Sequence, residues 1–98
     1  MEKPFFVELL ENNDPELLEH MNSLQKFAGE DGALSAKVKT LISMFADAIL
    51  GHPSGVKALA ERARAQGASE QEIAETVRMA FLCGGMPGLV TGTYSFQK

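Results

Sequence analysis

The sequence contains one cysteine, no Cys-x-x-Cys pair and no excess of positive charge. Because Cys83 has no second cysteine in its own chain, an internal disulfide is excluded, and nothing indicates an oxidising compartment. The formal net charge is −4, which argues against nucleic-acid binding, since that binding needs a cationic surface. No His, Cys, Asp or Glu residues have the spacing of a metal site, so we expect neither a metal nor another cofactor.

Charged residues are also missing from a long stretch, Met79 to Gln97. A segment of this length could cross a bilayer. Gly84-Gly85 and Gly92 interrupt it, however, and its second half is polar, which favours a buried protein interface over a membrane span. The start of the chain lacks a basic segment followed by a long apolar one, so we expect a cytoplasmic protein that does not bind membranes.

No segment shows the alternation of a β-strand bounded by hairpin turns, whereas helical spacing and helix caps recur along the chain. We therefore expect one all-α domain, 1–98, with five to six helices. The predicted helices are Pro4 to Glu11; a second one capped by Asp14, running to Phe27 and closed by a left-handed Gly29; a third from the Ser35 cap to Gly51; a fourth from Pro53 to Gly67; a fifth opened by a Ser69–Glu72 capping box; and a sixth starting at Met86-Pro87.

Hydrophobic residues make up 45% of the chain, which is more than a small bundle of 98 residues hides comfortably. Self-association is the simplest way to cover the remainder. The third helix is expected to be central and the most buried, because apolar residues cover more than half of its circumference. These residues are Val38, Leu41, Ile42, Phe45, Ala46, Ile49 and Leu50.

Four short motifs, in this order and at this spacing, resemble the carboxymuconolactone decarboxylase family, which includes AhpD-like proteins. The resemblance implies an all-α, AhpD-like helical bundle around a central helical hairpin, assembled as a homotrimer or homohexamer. It places the family core at 34–94 and additional N-terminal helices at 1–33. The motifs are Leu34 to Ile42, Ala48 to Gly51, Gly67 to Glu75 and Ala80 to Pro87.

The same resemblance implies a pocket near the start of the fourth helix, but the redox residues of the AhpD-like branch are replaced there. His52 and Gly55 stand at the positions of the two cysteines, Leu59 at that of a histidine and Thr40 at that of a glutamate. A histidine and a glycine cannot provide a nucleophilic thiolate and a resolving thiol. We therefore expect a degenerate redox site without disulfide peroxidase chemistry.

His52 and Asp47 are the candidate catalytic residues. At a helix N-terminus the dipole disfavours the imidazolium, so a neutral His52 could act as a base or polarise a carbonyl, and nearby backbone donors could hold an anion. Asp47 either pairs with His52, lines the pocket, or faces solvent or a partner chain. The alternative for His52 is an ordinary loop residue between Gly51 and Pro53.

Six other residues, some polar and some apolar, are predicted to line the pocket. Cys83 ends the fifth helix, where the helix dipole disfavours a thiolate, and we interpret it as a packed, inert cysteine. An apolar ligand site could have Met44, Phe45, Met79 and Met86 as its walls. The predicted pocket comprises Thr40, Met44, Gly55, Leu59, Cys83 and Met86.

Three functions remain open at this point. The leading hypothesis is a family member without the redox dyad, which binds or transforms a small anionic or carbonyl compound in a homo-oligomer. An enzyme of this kind would be lyase-like, of the decarboxylase type, rather than a disulfide peroxidase. The alternatives are a non-catalytic oligomeric interaction protein and a peroxidase-type antioxidant, as the family implies.

Overall fold

The computed structural model describes residues 3–98, which contain helices joined by loops and no strand. They divide into two compact units, one ending at Glu30 and the other running from Asp31 to Lys98. The predicted all-α class is therefore confirmed. The helices are α1 (Phe5–Asn13), α2 (Pro15–Gly29), α3 (Ala36–Leu50), α4 (Pro53–Ala65), α5 (Glu70–Gly92) and a C-terminal 3₁₀ helix (Thr93–Phe96).

The first unit is a pair of helices, α1 and α2. Asp14 starts α2 as predicted, because its carboxylate accepts a hydrogen bond from the Leu17 N–H at 3.0 Å and Pro15 occupies the first helical position. The predicted left-handed Gly29 is wrong: α2 includes Gly29 and ends in extended backbone at Glu30. No residue of α1 or α2 is buried, although both helices carry large apolar side chains.

In the second unit, α3 and α4 form a helical hairpin. The Ser35 hydroxyl caps α3 by accepting a hydrogen bond from the Val38 N–H at 3.1 Å. Gly51 ends α3 with a φ of 79°, a left-handed conformation that favours glycine, and Pro53 starts α4 only two residues later. Both predicted boundaries are confirmed, and α3 packs against both α4 and α5.

Helix α5 begins with the predicted capping box and contains a sharp break. The Ser69 hydroxyl accepts from the Glu72 N–H at 3.0 Å, and the Glu72 carboxylate accepts from the Ser69 N–H at 2.8 Å. This backbone hydrogen bond and the ion pair with Lys37 lower the pKa of Glu72. Gly85 has non-helical backbone angles, so the predicted fifth and sixth helices are the two halves of α5.

The second half of α5 packs back onto the first half. A Cβ at Gly88 would overlap the carbonyl oxygen of Ala80, and a Cβ at Gly92 would lie 3.1 Å from a methyl group of Val77. The predicted close approach of Gly88 and Gly92 to another helix is thus made within α5. Only residues without a side chain permit this contact.

The core of the second unit is built mainly from small residues. Five of its nine buried apolar residues are alanines, which allows the helices to approach closely but encloses little volume. On α3 the fully buried positions are Thr40, Met44 and Ala48, and the predicted burial of Val38, Ile42 and Leu50 is wrong. Those three side chains are 37%, 50% and 66% exposed. The contacts of α3 with α4 and α5 come from the neighbouring face of α3, which carries its buried residues.

Within residues 3–98, one helical segment, Glu70–Phe96, is long and apolar enough by length and composition to cross a membrane. Its break at Gly85 and the return of its second half onto Val77 are features of a folded helix pair rather than a straight span. Length and composition are therefore weak evidence for a membrane segment here.

An ion pair joins the end of α4 to the start of α5. The Arg64 guanidinium donates two hydrogen bonds to Glu70, at 2.7 and 3.0 Å, and a third to the Ser95 carbonyl at 2.8 Å. The hydrogen bond from Arg64 lowers the pKa of Glu70 to about 2. Arg64 thereby connects α4, α5 and the C-terminal 3₁₀ helix.

Substitution of Gly88 by alanine should destabilise the second unit by about 2 kcal/mol or more, because the added methyl group overlaps a backbone oxygen that cannot rotate away. Urea denaturation followed by circular dichroism measures this change. The control is Gly32→Ala, whose methyl group would meet only the end of the Lys39 side chain at 3.9 Å. A Gly88→Ala variant as stable as Gly32→Ala would contradict the described packing of α5.

Glu70→Gln should lower stability at neutral pH and have no effect in strong acid. The pKa of Glu70 falls from 4.5 to about 2 on folding, so its contribution is present above about 4.5 and is lost as the pH falls toward 2. Urea midpoints of both proteins across this range test the prediction. Glu75→Gln makes the same charge change on α5 and should lower stability less at neutral pH. A pH-independent effect of Glu70→Gln would count against the ion pair.

Candidate functional site

The turn between α3 and α4 brings Asp47 and His52 together. The left-handed Gly51 reverses the chain, and the His52 N–H donates to the Asp47 carbonyl oxygen at 2.9 Å. His52 is the N-cap of α4, as predicted, but its ring makes no capping hydrogen bond. The imidazole is therefore available to the Asp47 side chain.

The Asp47 carboxylate lies 3.2 Å from Nδ1 of His52. A carboxylate ion only accepts hydrogen bonds, so Nδ1 carries the proton and a neutral ring leaves Nε2 with a free lone pair. The side chain of His52 is 59% exposed, whereas that of Asp47 is only 27% exposed. Of the alternatives left open for Asp47, the structure shows the pairing with His52, and the carboxylate is less exposed than the ring.

Gly55 accommodates the Asp47 carboxylate at the first turn of α4. A Cβ at Gly55 would overlap Oδ2 of Asp47. The carboxylate thus lies close to the positive end of the α4 dipole, where a negative charge is favoured. A cysteine at this position, as in the redox branch that the sequence resembles, would need the same space, so Asp47 in this position and a sulfur pair exclude one another.

The remaining α3 and α4 pocket candidates lie deeper. Thr40 and Met44 are buried at 7% and 1% exposure, one helical turn apart on the α3 face that also carries Ala48. Leu59 is partly buried against this core. These residues therefore belong to the packed interior of the second unit and to its edge.

The two α5 candidates are exposed. Met86 is 60% exposed, and Cys83 is exposed as well, so the interpretation of Cys83 as a packed cysteine is wrong for the single chain. The physical reason is that this part of α5 is apolar nearly all round, and α3 covers only one side of it. Gly84 lies on the side that α3 covers, since a Cβ at Gly84 would lie 2.9 Å from Cγ1 of Ile49.

A groove between α3 and α5 was not predicted as a site. It encloses about 370 Å³, and a second cavity of similar volume adjoins it, sharing Leu41, Thr76 and Met79 and continuing to Glu72, Glu75 and Arg78. The sequence named Phe45 and Met79 as possible walls of an apolar site, and both do line the groove. The excess of apolar residues on α3 is the sequence signal that could have indicated the other residues of the groove. The groove is lined by Val38, Leu41, Ile42, Phe45, Thr76 and Met79.

Gly55→Ala should separate Asp47 from His52, because the new methyl group takes the place of Oδ2. Nitrogen NMR of the imidazole rings measures the outcome: the wild type should hold neutral His52 in the Nδ1–H form, and the variant should lose that preference. Ser54→Ala, an exposed change in the same turn, is the matched control. An identical His52 spectrum in Gly55→Ala would contradict the pairing.

Comparisons with known proteins agree with this structure. The sequence model of the carboxymuconolactone decarboxylase family matches residues 15–93. An uncharacterized protein of Methanocaldococcus jannaschii is 27% identical over 84 residues, which are 86% of this chain and 78% of that protein. The apo crystal structure of a carboxymuconolactone decarboxylase family protein from Legionella pneumophila is 28% identical with a TM-score of 0.86, covering 93% of this chain and 81% of that one. The resemblance drawn from the motifs is confirmed, and the chain belongs to the carboxymuconolactone decarboxylase family.

Proposed function

We propose that this protein uses the Asp47–His52 pair to bind a small carbonyl compound and to move a proton on it, within a homo-oligomer. The observation that supports this proposal is the 3.2 Å contact between the Asp47 carboxylate and Nδ1 of His52 at the start of α4. A histidine that is oriented by a carboxylate and open to solvent on its other nitrogen is the usual arrangement of a general base.

The chemistry follows from the free lone pair on Nε2. In the first step Nε2 takes a proton from a carbon next to the carbonyl group, and the electron pair of that C–H bond moves into the carbonyl to form an enolate. Asp47 stabilises the imidazolium that results. In the second step the imidazolium returns the proton to the enolate, either on the opposite face of the same carbon or at the far end of a conjugated double bond. His52 is then neutral again, and no oxidant or reductant is consumed.

The position of Asp47 favours a neutral carbonyl compound over an anion. The backbone donors at the start of α4 were predicted to hold an anion, but the Asp47 carboxylate already lies over Gly55 at that place. A second negative charge beside it would be repelled. Of the two ligand classes expected from the sequence, neutral carbonyl compounds such as lactones therefore fit better than anions such as carboxylate ions.

Exposed apolar surface supports the homo-oligomeric part of the proposal. Met79, Phe81, Leu82 and Met86 on α5 are 48%, 48%, 73% and 60% exposed in the single chain. They lie in the stretch from Met79 to Gln97, which contains no charged residue. Apolar patches of this kind on a small protein commonly mark contacts with other chains.

Thermal-shift measurements test the ligand class, with lactones compared against their own open-chain hydroxy acids. A lactone should raise the melting temperature of the wild type more than its hydroxy acid does, and His52→Ala should lose this stabilisation. For a lactone that is turned over, His52→Ala should lower kcat by about 10²–10⁴ because the base is removed. Ser54→Ala, in the same turn, should bind and react as the wild type does.

Two outcomes would favour the alternatives. If none of these compounds stabilises the wild type, the exposed apolar residues of α5 support a non-catalytic interaction protein instead. The peroxidase-type alternative is tested by peroxide reduction. If this activity disappears in Cys83→Ser but survives in His52→Ala, the exposed thiol of Cys83 is the reacting group.

A further inference from the structure

The imidazole of His52 presents one basic atom to a ligand. Its Nδ1 faces the Asp47 carboxylate at 3.2 Å, so the lone pair of the neutral ring lies on Nε2 alone. The ring belongs to the N-cap residue of α4, and 59% of the side chain is exposed. A ligand that meets this ring therefore meets a base on one side only.

Asp47 lies on the same side of a ligand as His52. One oxygen of its carboxylate faces Nδ1, and the other lies where a Cβ of Gly55 would be, against the first turn of α4. Its side chain is 27% exposed, less than half the exposed fraction of His52. Since Nδ1 and Nε2 point away from each other, the carboxylate lies behind the base and orients it, and it does not face the ligand from the opposite side.

The turn between α3 and α4 carries no other ionisable side chain. Between Lys39 and Lys57 the sequence contains only Asp47 and His52 of this kind. Lys39 precedes Asp47 by eight residues, which is about 12 Å along α3. Lys57 follows His52 by five residues, a rotation of about 140° around α4, and so lies on another side of that helix.

The part of α5 at this end of α3 carries no charge either. A Cβ at Gly84 would lie 2.9 Å from Cγ1 of Ile49, close to the end of α3. From Met79 to Gln97 the sequence has no charged side chain, and its ionisable groups are the thiol of Cys83 and the phenol of Tyr94. This part of α5 therefore offers no carboxylate, ammonium or imidazole to a ligand opposite His52.

A single base removes and returns a proton on one face of its substrate. Return to the opposite face of the same carbon needs a second acid, or an enolate that turns over in the site. Return to the far end of a conjugated double bond needs neither. We propose that His52 catalyses a 1,3-proton shift, on one face, in a neutral carbonyl compound whose double bond lies between its β and γ carbons. This inference rests on the proposed function and names its substrate class.

The charge that develops in the reaction favours the same class of substrate. Proton removal leaves a negative charge on the substrate beside the imidazolium and the Asp47 carboxylate, and residues 40–56 carry no cation besides that imidazolium. A β,γ double bond spreads the charge over a dienolate, which reduces the stabilisation that the protein must supply. A saturated carbonyl compound confines the charge to one oxygen and one carbon, so it is the poorer substrate.

The atoms and electrons balance without a co-reactant. Nε2 of His52 takes the proton from the α carbon, and the electron pair of that C–H bond moves into the carbonyl group to form the dienolate. The carbonyl group then re-forms, the double bond moves to the α and β carbons, and the β,γ electron pair takes the proton from the imidazolium at the γ carbon. The product is the conjugated isomer, and His52 is neutral again.

Isomerisation of a five-membered lactone with a β,γ double bond and a γ-methyl group tests the proposal. The conjugated product absorbs ultraviolet light more strongly, which gives the rate, and its γ carbon is a new stereocentre. The wild type should form one enantiomer in excess, and His52→Ala should slow the reaction by about 10²–10⁴. Substrate with deuterium on one face of its α carbon should show that the proton lost and the proton gained lie on the same face of the ring.

A saturated lactone with a single configuration at its α carbon is the matched comparison. In deuterium oxide it should exchange its α proton more slowly and keep its configuration, because the proton returns to the face that it left. Lys57→Met and Cys83→Ser remove the nearest cation of α4 and the thiol of α5. Both variants should leave the rate of isomerisation and the face of protonation unchanged.

The results separate this inference from the proposed function. Exchange of the α proton in both lactones without isomerisation would overturn the 1,3-shift and leave proton transfer by His52 in place. Racemisation of the saturated lactone as fast as isomerisation of the unsaturated one, or protonation on the opposite face of the ring, would reveal a second acid and overturn it too. No exchange in either lactone would overturn both.

Discussion

The close packing of helices through small residues is the constraint on which the rest of this structure depends. Gly84, Gly88 and Gly92 let α5 approach Ile49 and fold back on itself, and five of the nine buried apolar residues of the second unit are alanines. A core of this kind is dense but small, so it cannot enclose the large apolar residues of a chain that is 45% hydrophobic. Those residues remain on the surface, where they favour association with other chains.

The same tight packing determines the geometry of the candidate site. The left-handed Gly51 allows α4 to start two residues after α3, which brings Asp47 and His52 within 3.2 Å. Because Gly55 has no side chain, the carboxylate fits against the first turn of α4. The family frame is therefore kept, while a carboxylate and an imidazole occupy the region where the redox branch is expected to hold sulfur. In the function proposed above, proton transfer takes the place of disulfide exchange.

Local signals in the sequence predicted most helix boundaries, whereas burial was harder to predict. The Ser35 cap, the Ser69–Glu72 capping box and the break at Gly85 each depend on a few neighbouring residues, and all were correct. Periodicity showed that α3 is apolar on most sides, but it could not show which side faces α4 and α5. Val38 and Ile42 were consequently placed in the core, although the structure exposes them. The contact of Asp47 with His52 was one of several possibilities, since five residues of separation bring them together only if the chain reverses at Gly51.

Sedimentation equilibrium combined with thermal unfolding, from low micromolar to near-millimolar protein, is the most direct measurement of whether this small core needs a second chain. For a fold completed by association, the melting temperature should rise with concentration in step with the oligomer population, since unfolding then releases separate chains. A monomeric mass and a melting temperature that do not change with concentration would contradict this view, because the exposed apolar residues would then be stable in water without a partner.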